Sequence, residues 1–262
     1  MMNILTMKFG GSCITSSKSF LDIADIIIER KKEYPHLVVV VSAMGGMTDT
    51  LIKLAKEVNI SPSKREQDML ISVGERISIS LLAMAMEKKK KKAISFTGSQ
   101  SGIITCCMHS NARIVDIKPK RILKELKKKK VVIVAGFQGM STAGEITTLG
   151  RGGADTSAVA LAVALQAKKV EFYKDVKGIY SKDPKKEATA TFLPNLCYSE
   201  AEKIIEKGAE ILHLRALKLA EKNEMLLHIL PNEKVGRKEK KGTIIKGKKK
   251  RGKITPIYEE VC

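Results

Sequence analysis

Three segments of the sequence combine glycines with residue types that bind anions. The first reads Lys8-Phe9-Gly10-Gly11-Ser12 and follows a short β-branched run. Paired glycines after a strand let the backbone approach a ligand, and successive N–H groups there can bind an anion. A lysine at the strand end adds a positive charge for phosphate oxygens. The segment fits neither the P-loop pattern nor the Rossmann glycine pattern, so it predicts neither of those nucleotide sites.

The second segment follows another apolar run and leads into a predicted helix. It places Ser42 and Thr48 on either side of Gly45 and Gly46. Their hydroxyl groups would lie near the start of that helix, where anions are favoured. A Thr48 that only caps the helix would produce the same pattern. Two strands that end in the same kind of loop favour a ligand site more than either does alone.

The third segment, residues 147–157, leads into an almost wholly apolar helix that should be buried. Gly152 and Gly153 would leave free N–H groups at the start of this helix for an anion. Arg151 could bind a carboxylate or phosphate with two hydrogen bonds. Asp155 could hold a lysine in place or cap the helix. Because polar groups beside a buried helix are costly, this density of polar residues favours a functional role.

A fourth segment follows a later strand and contains Lys174, Asp175, Tyr180 and Lys185. Its glycine turn, tyrosine and lysines suit a pocket for a base and ribose with a lysine towards phosphate. Alone, the same residues would be ordinary turn chemistry. Glu75 lies in a helical segment, where a carboxylate is usually solvated, so the pattern alone gives it no role.

Alternating strand and helix patterns must position these segments. The predicted strands are 4–9, 37–42, 93–96, 131–135, 170–173 and 226–229, with 242–246 as a last strand. The predicted helices are 17–32, 48–58, 66–89, 119–129 (with Pro119 as its first residue), 155–166, 199–207 and 215–222. This alternation predicts an α/β fold with a mainly parallel sheet covered on both faces, and ligands at the carboxyl ends of the strands.

The composition limits the other classes of function. The 262 residues carry 48 lysines and arginines against 28 acidic residues, a net charge of +20. Only 9 of the 48 are arginine, aromatics make up 4% and tryptophan is absent, so nucleic-acid binding is less favoured than a solvated lysine-rich surface. No apolar run approaches the length of a membrane span, and no secretory signal is visible. Five cysteines without a CxxC pair predict a reducing compartment, the cytoplasm, and no structural zinc site.

Together these segments resemble the catalytic domain of the aspartate kinases, in the amino-acid kinase family. The resemblance extends from about residue 4 to residue 246. The matching strings are KFGGS, VVVVSAMGGMTD, VGER, VAGFQG, TTLGRGGADTSA, DVKGIYSKDPK and GAEILHLRAL. TTLGRGGADTSA points to the aspartate kinase branch within the family.

The resemblance implies a three-layer αβα sandwich and transfer of a phosphoryl group from ATP to the side-chain carboxylate of L-aspartate. The product, 4-aspartyl phosphate, leads to lysine, threonine and methionine. An aspartate side chain has a pKa near ~4, so the attacking group is already ionised and needs no general base. Catalysis would then consist of positioning and charge neutralisation, with Mg²⁺ held mainly by ATP phosphates and water rather than by protein ligands.

The same resemblance implies a role for each site residue. The residues for phosphoryl transfer are Lys8, Asp155, Gly10 and Gly11. The residues for aspartate are Ser42, Thr48, Glu75 and Arg151. The residues for the nucleotide are Lys8, Gly11, Ser12, Lys174, Asp175, Tyr180, Lys185 and Glu210.

The resemblance also sets expectations for organisation and partners. We expect one domain over 1–262, with an amino-acid-binding lobe over about 1–190 and a nucleotide-binding lobe over about 170–246. Residues 247–262 would be a basic tail, or the remnant of a regulatory ACT domain, which predicts no feedback control through such domains. A homodimer and a separate regulatory chain stay open as partners.

The chain also departs from the family pattern. Cys13 replaces a serine, Lys185 an arginine, Glu210 a lysine and Leu214 a proline. Glu210 reverses a charge near the expected ATP phosphates, which concerns nucleotide affinity. Three alternatives stay open on this evidence: a non-catalytic nucleotide-binding relative, a kinase of another small acidic amino acid, and a nucleic-acid binder.

Overall fold

The computed structural model describes residues 2–182, 187, 189–209, 211–232, 242–247 and 255–260. The strands are β1 Ile4–Phe9, β2 His36–Val41, β3 Ala93–Phe96, β4 Ile103–Thr105, β5 Ile114–Ile117, β6 Val131–Ala135, β7 Gln138–Ser141, β8 Ile146–Thr148, β9 Val170–Lys174, β10 Ile179–Tyr180, β11 Phe192–Leu193, β12 Asn195–Leu196, β13 Leu227–Pro231 and β14 Thr243–Ile245. The helices are α1 Ser17–Arg30, α2 Met47–Val58, α3 Lys64–Ile71, α4 Val73–Lys88, α5 Gly98–Ser101, α6 Lys120–Lys127, α7 Gly153–Ala164, α8 Tyr198–Glu206 and α9 Leu214–Lys222.

A large sheet lies at the centre of the described residues. Its strand order is β12-β14-β13-β9-β1-β2-β6-β3, and only the β13–β14 pair is antiparallel. The inner strands are continuous apolar runs, as strands covered on both faces must be. In β2, for example, every residue from Leu37 to Val41 is buried. The predicted α/β fold with a mainly parallel sheet is therefore confirmed.

Alternate residues of the inner strands enter two separate cores. Leu5, Met7 and Phe9 of β1 pack with residues of α1 and α4 on one face. Ile4 of β1 and Val38 of β2 pack on the opposite face, with residues of α6, α7 and α9. This alternation follows from the two-residue period of a strand. Helix α7 is buried on all sides from its first residue to Val163, as its composition predicts.

A second sheet was not predicted. Its order is β5-β4-β7-β8, with both parallel and antiparallel pairs. Its strands have only three or four residues, and β7 reads QGMS, so no apolar alternation marks them. This sheet matters for function because β8 leads directly into the segment that contains Arg151.

The predicted helix over 66–89 is wrong in one respect, since it consists of α3 and α4 with a break at Ser72. The carbonyl of Ser72 accepts a hydrogen bond from Nε2 of Gln138 at 2.7 Å. By length and composition alone, the stretch Lys64–Lys88 could cross a membrane, but half of its most apolar window is buried in the protein. The core helix of a soluble protein passes the same test, so the stretch is weak evidence for a membrane span.

One prediction about a helix start is also wrong, and one alternative is ruled out. Pro119 precedes α6 as its N-cap residue and is not the first helical residue. Gly46, in the left-handed conformation, caps α2, so Thr48 lies inside the first turn and does not cap the helix.

Candidate active site

A buried ion pair joins the end of β1 to the first turn of α7. Nζ of Lys8 lies 2.6 Å from Oδ1 of Asp155, and both side chains are at most 7% exposed. On the other side, Nζ of Lys174, at the end of β9, lies 3.8 Å from Oδ2 of Asp155. The main-chain N–H of His213 donates to the same oxygen at 3.3 Å. The carboxylate of Asp155 therefore interacts with both Lys8 and Lys174.

The charges of this cluster depend on one another. Burial alone would raise the pKa of Asp155, but the charges of Lys8 and Lys174 outweigh it and hold the pKa below its ordinary value. Burial lowers the pKa of Lys174, and the positive charge of Lys8 lowers it further, while Asp155 opposes both. With two cations and one anion, the cluster has an excess of positive charge. It is therefore suited to an anionic ligand.

The glycines after β1 lie in a closely packed place. A Cβ atom on Gly10 would lie 3.3 Å from Nζ of Lys8, and one on Gly11 would lie 3.2 Å from the carbonyl oxygen of Ala43. A short 3₁₀ turn, Gly11–Cys13, follows, in which Ser12 is exposed. The backbone therefore passes close to the lysine without a side chain between them.

The loop after β2 packs against the loop after β1. Ser42 N–H donates to the carbonyl of Phe9 at 3.1 Å, and Gly45 N–H donates to that of Ile14 at 3.0 Å. Gly46 has a φ of 77° and starts α2. Ser42 and Thr48 are both half-buried. The two predicted glycine segments therefore lie side by side at the carboxyl ends of neighbouring strands.

Glu75, in the first turn of α4, is the third buried charged group near this site. The residue is only 3% exposed, and its Oε1 accepts a hydrogen bond from Ala43 N–H at 3.0 Å. Oε2 is buried and has no hydrogen-bond partner among the described residues. Burial raises the pKa of Glu75 to about 7, although the Ala43 N–H and the charge of Lys8 oppose this shift. The unpaired oxygen can therefore accept a hydrogen bond from a cationic ligand.

Residues 149–153, here called the arginine loop, connect β8 to α7. Gly150 and Gly152 have φ angles of 75° and 70°, a conformation that favours glycine. A Cβ atom on Gly152 would lie 2.2 Å from the ring of His213, so that ring packs directly on the loop. Arg151 is exposed, and no ion pair joins it to any other residue in the described part of the chain. Its guanidinium is thus available to a ligand.

The structure brings most of the predicted site residues to one end of the central sheet. Asp175 follows β9 directly and is exposed. Tyr180 lies in the β10–β11 hairpin, where its ring meets that of Phe192 edge to face at 5.4 Å. Lys185 and Glu210 lie outside the described residues, so their predicted roles stay predictions.

Sequence reasoning missed three residues that support the site. His213 lies in the GAEILHLRAL string but was given no role. Cys13 donates from Sγ to the carbonyl of Tyr173 at 3.2 Å, and burial raises the pKa of its thiol. Asp68 is fully buried and accepts hydrogen bonds from the N–H and hydroxyl of Thr148 at 3.1 and 2.6 Å. Only the position of Cys13 beside the glycines could have indicated its place.

The sequence profile of the amino acid kinase family matches residues 3–231, and the chain therefore belongs to that family. Within it, the chain is similar to the aspartokinase of Bacillus sp. (strain MGA3), with 46% identity over 93% of this chain. It is equally similar to that of Geobacillus stearothermophilus, with 46% identity over 94% of this chain. The structure of aspartate kinase from Synechocystis superposes with a TM-score of 0.81 and 36% identity, over 97% of this chain and 41% of that one. The chain spans 58% and 59% of the length of the first two relatives.

Proposed function

We propose that this chain is an ATP-dependent aspartate kinase that forms 4-aspartyl phosphate. The observation that carries the proposal is the buried Lys8–Asp155 pair, with Lys174 beside it, at the ends of β1, β9 and α7. This arrangement offers positive charge to a phosphoryl group. The 46% identity to proteins named aspartokinase supports aspartate as the acceptor.

Phosphoryl transfer would depend on position and charge. Lys8 would bind the transferring phosphoryl group, and the N–H groups of Gly10 and Gly11 would donate to its oxygens. Asp155 would hold Lys8 in place through the 2.6 Å contact. Because the aspartate carboxylate is ionised at neutral pH, it can attack without a general base. The catalytic contribution is then stabilisation of negative charge that develops on the phosphoryl oxygens.

Aspartate would be recognised by its charged head group. Arg151 would bind the α-carboxylate, and the unpaired Oε2 of Glu75 would bind the α-ammonium. A bound ammonium group would lower the pKa of Glu75 and keep it ionised at neutral pH. Ser42 and Thr48 would line the same pocket with hydroxyl groups.

The nucleotide would extend from the phosphate site along β9. Lys174 and Ser12 would bind phosphate oxygens, and Asp175 and Tyr180 would contact the ribose and base. From the sequence alone, Lys185 and Glu210 are proposed to lie along the same nucleotide.

Magnesium would enter as part of the Mg–ATP substrate. In the part of the chain that the structure describes, no group of three or more His, Cys, Asp or Glu residues is placed to hold a metal ion. The carboxylate of Asp155 is already bound to lysine. The described residues therefore do not form a magnesium cage, and we assign no step to the ion.

We also propose that the protein acts in the cytoplasm, at the start of lysine, threonine and methionine synthesis. Among the described residues, Cys13, Cys106, Cys107 and Cys197 form no disulfide, which supports a reducing compartment.

The test is ATP-dependent formation of aspartyl hydroxamate, in which hydroxylamine traps the acyl phosphate. We expect product with L-aspartate and at least about tenfold less with L-glutamate at equal concentration. Lysine and threonine, added separately, test whether the reaction is under feedback control.

The matched variants are Lys8→Ala and Lys53→Ala. Lys53 is exposed on α2, where it only approaches Glu57 at 4.0 Å, so its loss should leave the rate unchanged. Lys8→Ala should abolish product. Folded wild-type protein that forms no hydroxamate at saturating ATP would refute the proposal. A higher rate with L-glutamate than with L-aspartate would show that glutamate is the substrate.

A further inference from the structure

The guanidinium of Arg215, in the first turn of α9, binds four partners at the edge of the arginine loop. It donates to the main-chain oxygen of Leu149, and to that of Ala112 at 2.8 Å. It donates to Oδ1 of Asn111 at 3.2 Å and makes two hydrogen bonds to Glu259, at 2.8 and 2.9 Å. Its side chain is only 16% exposed. The proposed reaction uses none of these contacts directly.

Glu259 belongs to residues 255–260, here called the C-terminal segment, which is bound to the domain at two places. Glu259 N–H donates to the carbonyl of Ile114 at 3.1 Å, and Ile114 N–H donates back to Oε2 of Glu259 at 3.0 Å. Further back, the side-chain amide of Asn223 donates to the carbonyl of Ile257 at 2.7 Å and accepts from its N–H at 2.9 Å. The segment therefore contacts both ends of α9 and the edge strand β5.

The arginine loop needs such anchors because its own backbone is irregular. Leu149 N–H donates to the carbonyl of Phe137 at 2.9 Å, but Gly150 and Gly152 both have positive φ, so regular strand or helix pairing does not continue across the loop. The carbonyl that Arg215 binds belongs to Leu149, two residues before Arg151. A displacement of Leu149 would therefore move the guanidinium that is proposed to bind aspartate. A misplacement of about 1 Å can reduce a rate by as much as about 10².

We propose that Arg215 and Glu259 are positioning residues that set the arginine loop for aspartate binding. The C-terminal segment thereby becomes a working part of the aspartate site, although its residues 255–260 follow the arginine loop by more than a hundred positions. This inference rests on the proposed function, because Arg151 is assigned to aspartate there.

A carboxylate is needed at Glu259 because it fixes the orientation of the Arg215 guanidinium. A guanidinium bound by both carboxylate oxygens is fixed in its plane as well as in position. The remaining N–H groups of Arg215 then face the carbonyls of Leu149 and Ala112. Without the carboxylate, the cation would gain hydration by turning towards solvent and would leave both carbonyls unbound.

The first experiment is steady-state kinetics of Glu259→Gln, in which the side chain keeps its size and loses its charge. We expect the KM for aspartate to rise about tenfold, with kcat and the KM for ATP within about twofold of wild type. Glu259→Asp restores the carboxylate and should recover part of the aspartate KM. Arg215→Lys keeps the charge but cannot bind all four partners, so it should raise the aspartate KM as Glu259→Gln does.

The matched control is Glu260→Gln. Glu260 is the next residue of the same segment and pairs with Lys222 at 2.9 Å, but its side chain is 90% exposed and does not reach the arginine loop. Its loss should leave both KM values unchanged. The inference is wrong if Glu259→Gln leaves the aspartate KM unchanged, if it raises both KM values by the same factor, or if Glu260→Gln has the same effect.

A second experiment does not depend on activity. Amide hydrogen exchange of the peptide that contains residues 147–153 should be about tenfold faster in Glu259→Gln, while the peptide of β1 and the whole of Glu260→Gln stay unchanged. If exchange is faster in Glu259→Gln but the wild-type protein has no kinase activity, the result would support the loop anchor and reject the kinase. Unchanged exchange would overturn the anchor whatever the activity.

Discussion

Two buried clusters in this protein place a carboxylate among cations, yet they differ in how fully the carboxylate is used. In the open cluster, made of Lys8, Asp155 and Lys174, one contact is short at 2.6 Å, and the other lysine stands off at 3.8 Å. This leaves positive charge available to a ligand.

The closed cluster consists of Arg30, Lys169, Glu171 and Tyr173. One oxygen of Glu171 accepts from Arg30 and from Lys169, the latter at 2.9 Å. The other accepts from Nε of Arg30 and from the hydroxyl of Tyr173, each at 2.9 Å. Burial alone would raise the pKa of Glu171, but Lys169 and Arg30 hold it below its ordinary value.

The comparison teaches how to separate a structural charge from a functional one. Both carboxylates are buried, both have lowered pKa values and both lie near the central sheet, so burial and pKa do not distinguish them. What differs is the number of close donors. A saturated carboxylate holds the fold together, whereas an incompletely bound cation can turn to a substrate.

The largest effect should come from Asp155→Asn. Loss of the negative charge would leave Lys8 without its partner and repelled by Lys174. We expect kcat for hydroxamate formation to fall by at least about a thousandfold, the upper range for the loss of one charge-stabilising group. A kcat within tenfold of wild type would mean that Asp155 is as structural as Glu171.

Glu171→Gln should instead lower the stability of the fold and leave the kinetics nearly unchanged. It would leave Lys169 without its counter-charge and Arg30 with only the exposed Glu33, and the free energy of unfolding should fall by about 3 kcal/mol. The KM values and kcat should stay within about threefold of wild type at temperatures where the protein is folded. Urea unfolding combined with the hydroxamate assay checks both statements. A thousandfold loss of kcat without loss of stability would remove the distinction between the clusters.

Glu75 sharpens the comparison because no cation binds it closely. Burial raises its pKa from 4.5 to about 7, so the folded protein holds this proton more tightly than the unfolded chain does. The protonated carboxyl therefore stabilises the fold below about pH 4.5, and this contribution is lost as the pH rises through 7. Glu75→Gln stays neutral and should be more stable than wild type at pH 8 by about 2 to 3 kcal/mol.

The stability difference should shrink as the pH falls from 8 to 5.5, as measured by urea unfolding. In the same pH range, the wild-type KM for aspartate should rise, because a protonated Glu75 cannot bind the α-ammonium. Glu75→Gln should have a high aspartate KM at every pH. A stability difference that does not depend on pH would show that the carboxyl is not the cause.

The smallest effect should come from Lys174→Met, which removes the more distant cation of the open cluster. We expect the KM for ATP to rise about tenfold, equivalent to about 1.4 kcal/mol, with kcat less affected. The matched change in the closed cluster is Lys169→Met, which should lower the melting temperature and leave the ATP KM unchanged. Equal ATP KM values in the two variants would contradict a role for Lys174 in nucleotide binding.

The central sheet could be predicted from the sequence because its strands are buried on both faces. Continuous apolar runs marked β1, β3 and β6 with the bounds that the structure has. The four-stranded sheet left no such signal, since its strands are short and partly polar. The break at Ser72 was hidden as well, and the side chain that binds its carbonyl, Gln138, lies 66 positions away.

The candidate site also has residues that could be predicted from the sequence and residues that could not. The glycine loops were visible because glycine favours the close approach at Gly11 and the positive φ at Gly152. Asp68, Arg215 and Glu259 were not, because they act on Thr148 or on the arginine loop from at least 66 positions away, and Glu259 does so through Arg215. Only the folded chain shows what they touch.

The central place of β1 also determines the order in which the nascent chain can assemble its site. One edge of β1 pairs with β2, which begins at His36, and this pairing can form early. The other edge pairs with β9, which begins only at Val170. Such distant pairings form late because a long stretch of chain must first be ordered. Lys8 is therefore among the first residues to leave the ribosome, yet its partner Asp155 and the second lysine of the cluster, Lys174, are added about 150 residues later.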